Sequence, residues 1–150
     1  MSYQEKSVTV SLVSYLLILG YYLTRIVTMF QDGWLVSIQL FGLWAIVIVG
    51  TILVNILGNI LANIVLSIVH AIRTRTNKVE RYIADERDKL IDLKCEKIAY
   101  ITFSVGVFLS MLIFALGQPA LVMFGLIIFF SISAEIVGSI SQIFLYRRGF

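Results

Sequence analysis

Cysteine, proline and histidine occur once each in this chain of 150 residues. A single cysteine excludes an internal disulfide framework and a cysteine-rich metal site. A single histidine excludes the paired-histidine arrangements of haem-bearing bundles and most transition-metal centres. Charge is scarce too, at 14% of residues, against about 25% in soluble domains. Hydrophobic residues reach 59%, more than a soluble domain of this size can bury. There is no Gly-rich phosphate loop, no paired-carboxylate hydrolase motif and no convincing Ser/His/Asp or Cys/His set. The expectation is a membrane protein without catalytic residues, cofactor or metal, whose first partner is the lipid bilayer and which has no nucleic-acid partner.

What is present is apolar length. About 20 residues of helix cross the hydrocarbon core. Runs of that kind cover 8–30, 34–72, 98–117 and 120–146, broken by Gln31-Asp32-Gly33, by a charged stretch from Arg73 to Lys97, and by Gly117-Gln118-Pro119. The pattern predicts an all-α membrane protein with four transmembrane helices in two antiparallel hairpins. The first run is too long for the apolar part of a cleavable signal and is expected to stay as a span. Lys6, the eight basic residues between Arg73 and Lys97, and Arg147 with Arg148 lie on one side, and the two short turns carry no Lys or Arg. Both termini and the middle loop are therefore expected in the cytoplasm.

The second run is 39 residues, roughly 58 Å as one helix and nearly twice the core thickness. The charged stretch 78–97 contains no Gly or Pro and is expected to run into the third span. Matching the two lengths puts the membrane part of the second helix at about 34–55. Residues 56–97 then form a hairpin projecting into the cytoplasm. A flat amphipathic helix over 78–96 is the alternative. Residues 56–72 are apolar on nearly every side, and such a patch does not stay in water. Assembly into a homo-oligomer, with a symmetric dimer preferred, would cover it.

Two polar stripes recur every four residues. Thr51, Asn55, Asn59, Asn63 and Ser67, followed by His70, share one helix face. An interhelical seam, facing Glu86, Arg87, Asp88 or Asp92 or a second subunit, is favoured over the lining of an ion path. Ser131, Glu135, Ser139 and Gln142 mark the fourth helix. An intramembrane carboxyl is a functional candidate by default, and a hydrogen-bonded anchor is favoured here over a proton or cation site. Arg25 is the only other charge within a span, and helical rise sets it too far from Glu135 in depth for a salt bridge. It is expected to snorkel outward, toward Asp32. Gly42, Gly50 and Gly58 recur every eight residues and permit close helix approach only weakly. Cys95 is read as a spectator thiol.

The block Ala84-Asp85-Glu86-Arg87-Asp88-Lys89-Leu90-Ile91-Asp92-Leu93-Lys94, running into Ile98-Ala99-Tyr100, and the tail from Glu135-Ile136-Val137 to Leu145-Tyr146-Arg147-Arg148-Gly149 carry a resemblance. They resemble small bacterial inner-membrane proteins with a D-E-R-D-x-x-I-x-x-K signature and an L-Y-R-R-G tail. The resemblance covers the second half of the chain. It implies four helices, a bacterial inner membrane and no particular activity, and it hints at sensing or stress response. Asp85, Glu86, Arg87, Asp88 and Lys94 then fall on the expected cytoplasmic hairpin, as a solvated charged face or a docking motif. The function expected first is a non-enzymatic oligomeric membrane protein whose hairpin mediates assembly, partner docking or signalling. The alternative is a small transporter or channel using Glu135 and the Asn55/Asn59/Asn63 stripe.

Overall fold

In lipid every backbone N–H and C=O must find its partner within the chain, and a long apolar segment without proline achieves this as an α-helix. The computed structural model of the protein describes residues 3–31, 38–54, 56 and 86–148, with helix throughout apart from one turn and the last residue. Helix α1 is Tyr3–Gln31, α2 is Ile38–Val54, α3 is Glu86–Ala115 and α4 is Ala120–Arg147. Three of these, α1, α3 and α4, are long and apolar enough to cross a membrane, and α2 is a shorter apolar helix. At 28 residues α4 is the shortest of the three, yet at about 42 Å it still exceeds the ~30 Å core. The expected continuation of the second helix to residue 72, the turn at 73–77 and the hairpin residues 78–85 lie outside the described residues. So do Asn55, Asn59, Asn63, Ser67, His70, Asp85 and Asp32.

Gly117-Gln118-Pro119 forms the turn its composition predicts. The Gln118 N–H donates to the Ile113 carbonyl at 3.4 Å and the Gly117 N–H to the Phe114 carbonyl at 3.0 Å. This is a Schellman closure, which satisfies two carbonyls left over at the end of α3. It requires a left-handed residue, and Gly117 has φ of +96°. Pro119 then precedes α4 with φ −58°, where its missing N–H costs nothing. Gly117→Ala meets open space but a disfavoured backbone. Thermal unfolding in detergent should show a loss of about 1 kcal/mol, a cost that comes from the backbone angle alone. An unchanged midpoint would mean that the turn relaxes freely.

Helix α4 is the central element. It packs against both α3 and α1, whereas no Cα atoms of α1 and α3 come within 8 Å of each other among the described residues. One core joins α1, α2 and α4 through Tyr15, Tyr22, Leu40, Leu43, Val47, Ile128, Ile132 and Ile136. Tyr22 is 2% exposed, and its hydroxyl donates to the Gly125 carbonyl of α4 at 2.5 Å. Bundling of this kind rests on close packing and interhelical hydrogen bonds, because lipid is as apolar as the core.

On the other side of α4, contacts with α3 run in opposite directions along the two chains. Gln142 meets Asp92, Gly138 meets Ala99 and Cys95, and Phe130 meets Gly106. The two helices are antiparallel. A Cβ built on Gly106 would overlap the Phe130 side chain, and one on Gly138 would stand 3.2 Å from the Ala99 Cβ. These two glycines are the close-approach positions. Of the glycines singled out by eight-residue spacing, Gly42 faces open space and Gly50 stands in ordinary contact with Ile18, while Gly58 is not among the described residues.

Candidate functional site

Most hydroxyls within the helices close on their own backbone. Thr51 donates to the Val47 carbonyl at 2.8 Å, Thr102 to Ile98 at 2.9 Å, Ser110 to Gly106 at 2.7 Å and Ser139 to Glu135 at 2.8 Å. Such i to i−4 bonds let a hydroxyl sit in an apolar span without a partner on another helix. Ser139 is therefore satisfied within its own helix.

Glu135 is different. Its carboxyl makes no hydrogen bond or ion pair with any described residue, and it lines a cavity of about 570 Å³ between α1, α3 and α4. Because no Cα atoms of α1 and α3 come within 8 Å of each other among the described residues, this cavity is a cleft with α4 as its floor and the other two helices as its sides. Ser131, Glu135, Ser139 and Gln142 form the floor. The predicted stripe of α4 is thus brought together on one wall. Helix α3 contributes Asp92, Glu96, Tyr100 and Phe103, and α1 contributes Ser7, Ser11 and Tyr15. Three carboxylates line the cleft, and no Lys or Arg is among its described lining residues.

Asp92 is held at the mouth. Gln142 Nε2 donates to Asp92 Oδ1 at 2.6 Å, so among described residues this acid pairs with α4. Lys94 and Lys97 on α3 and Arg147 on α4 are exposed at the same end of the bundle. Glu135 lies 12 residues back from Arg147 along α4, about 18 Å by helical rise. The cleft therefore leads from the basic end toward the middle of the helices. Among the described residues no three His, Cys, Asp or Glu side chains come together as a metal site, and the carboxylates are spread along the walls. Cys95 lines the cleft but is itself 5% exposed.

Arg25 belongs to a separate cavity of about 650 Å³ between α1 and α2, with Tyr21, Thr28, Gln39 and Leu43. Its Nε donates to the Tyr21 hydroxyl at 3.3 Å, and its guanidinium lies 5.8 Å from the centre of the Tyr21 ring. Arg25 and Glu135 are thus kept apart, as their separation along the helices requires. Of the predicted cytoplasmic motif, Glu86, Arg87, Asp88 and Lys94 fall on the first turns of α3, and Asp88 and Lys94 both engage in polar interactions.

The stripe that forms the floor of the cleft stands out in the sequence as a polar stripe only, and the sides do not stand out at all. Ser7, Ser11 and Tyr15 recur every four residues on α1, and Asp92, Glu96, Ala99 and Phe103 follow one face of α3. The spacing rule that picked out the α4 stripe applies equally to both sets. No family model, no curated protein and no solved structure matches this sequence.

Proposed function

We propose that the chain is a small transporter of cationic solutes, with four spans in a bacterial inner membrane, both termini in the cytoplasm, and Glu135 as the binding carboxyl. The observation that carries it is the cleft: a carboxyl near the middle of α4 with no partner among the described residues, two more acids at the mouth and no basic residue among the described lining. An anchor needs a hydrogen-bond partner, and the Glu135 carboxyl has none among the described residues. Cations are drawn into such a cleft, since charges of one sign between low-dielectric walls focus the field. The basic residues at the mouth support a cytoplasmic opening. The short described length of α2 fits the fourth span if that helix continues beyond Val54, as the apolar run to residue 72 implies.

Flux into proteoliposomes tests this reading. A pH-sensitive dye should report proton movement, or a cation-sensitive dye monovalent cation movement, above protein-free vesicles, and Glu135→Gln should remove at least nine-tenths of it with assembly intact. Equal flux from wild type and Glu135→Gln would defeat the transport reading.

A second reading is supported by the apolar stretch 56–72 beside the charged stretch 78–97. In it the chain is a non-enzymatic homo-oligomer, preferentially a dimer, whose cytoplasmic hairpin docks a protein partner.

A further inference from the structure

The α1/α3/α4 cleft combines features that discriminate among cations. Its carboxylates do not converge: no three acidic, cysteine or histidine side chains meet there as a metal site among the described residues. A bare metal ion exchanges its water shell for six or more oxygen ligands held close together, and a wall of separated acids does not provide that. A cation with diffuse charge has no such requirement.

Aromatic rings share the cleft with the carboxylates. Tyr15, Tyr100 and Phe103 all line the cleft, and ring faces attract organic cations electrostatically as well as by contact. The volume, about 570 Å³, falls within the range of pockets that enclose drug-sized molecules, roughly 300–1,000 Å³.

Among the described residues the side of the cleft is also open. The Cα atoms of α1 and α3 flank it without coming within 8 Å of each other, and Tyr100 on its edge is 71% exposed. In a bundle surrounded by lipid, that gap faces acyl chains as well as the aqueous mouth. A molecule that partitions into lipid can enter between the helices with its apolar body leading and meet Glu135 with its charge. Anionic headgroups are disfavoured by the three carboxylates.

Resting on the transport reading above, we propose that the cleft is a binding site for lipophilic organic cations, single positive charges carried on an apolar or aromatic body. Glu135 neutralises the charge, and Tyr15, Tyr100 and Phe103 enclose the body.

The test uses the full chain in lipid nanodiscs. Tetraphenylphosphonium is the lipophilic probe, tetramethylammonium is the hydrophilic probe of equal charge, and both are measured by equilibrium dialysis against protein-free nanodiscs. Tetraphenylphosphonium should bind saturably at one site per chain, at least tenfold more tightly than tetramethylammonium. Glu135→Gln should weaken it tenfold or more, and Tyr100→Ala threefold or more. Ser131→Leu keeps every carboxyl but fills the floor at an exposed position, and it should also abolish binding. Arg25→Gln, in the other cavity, should leave binding unchanged. If both probes bind alike and depend on Glu135, the lipophilic class is wrong and the transport reading stands. If neither depends on Glu135, both are wrong. Tetraphenylphosphonium uptake no greater than that of empty nanodiscs likewise overturns the proposal.

Discussion

Gly106→Leu should separate α3 from α4 more effectively than any other single substitution on that interface. A Cβ at this position already overlaps the Phe130 side chain, including its own Cβ, so rotating the ring away does not relieve the clash. The backbone itself must shift. Overpacking of this kind costs about 1–3 kcal/mol, and leucine adds three more carbons in the same direction. The Ser110 hydroxyl also bonds to the Gly106 carbonyl, so displacement there disturbs a fully buried residue one turn on. The expected result in mild detergent is a fall in unfolding midpoint and protease cleavage between α3 and α4. Gly106→Ala with Phe130→Gly, which removes that Cβ as well as the ring, should cost less than the two single changes added together, because residues in contact couple in a double-mutant cycle. Gly42→Ala is the control: its added Cβ meets nothing within 4 Å. A helical glycine in open space should gain about 0.5–1 kcal/mol on becoming alanine. Equal effects at Gly106 and Gly42 would show that α3 does not approach α4 as described.

The second large effect is expected at Tyr22. It is 2% exposed, reaches across to the Gly125 carbonyl, and belongs to the core that joins α1, α2 and α4. Tyr22→Ala removes a whole aromatic side chain, for which core substitutions lose about 3–5 kcal/mol. In lipid the transfer part of that cost shrinks, because the alternative to burial is another apolar environment. The void remains, so a loss near 3 kcal/mol is expected. Tyr22→Phe keeps the ring and deletes the hydroxyl, and its cost should be about 1 kcal/mol, within the range of interhelical hydrogen bonds in bilayers. Chemical unfolding in mixed micelles separates the two. A Tyr22→Phe variant as damaged as Tyr22→Ala would assign the stability to the hydrogen bond rather than to packing.

The contrast between these positions shows what a sequence can and cannot convey. Apolar length and the Gly-Gln-Pro break specify the three long helices and the turn at Gly117, because each follows from local chain physics. The α4 stripe is visible for the same reason: Ser131, Glu135 and Ser139 repeat with the helix. Which glycine meets a neighbour is not local. Gly42 and Gly50 recur at a regular interval and touch little, whereas Gly106 and Gly138, 32 residues apart on different helices, make the close contacts. Their partners, Phe130 and Ala99, are defined only once α3 and α4 lie side by side. The cleft has the same character. In the sequence Asp92 stands out only as one of four candidates to face the Asn stripe, and Glu96, Ser7 and Ser11 belong to no motif. They become a site only because α1 and α3 both lean on α4 without meeting.

Access to Glu135 is the most direct test of this account. With Cys95→Ser as background, Glu135→Cys places one thiol on the floor of the cleft. A membrane-impermeant cationic thiol reagent is added to inverted vesicles, where the cytoplasmic face is outward, and to right-side-out vesicles. The account predicts labelling in the inverted vesicles and at least tenfold slower labelling in the others. Labelling from the external side only, or none from either side while a lipid-soluble reagent reacts, would contradict a cytoplasmic cleft that reaches Glu135.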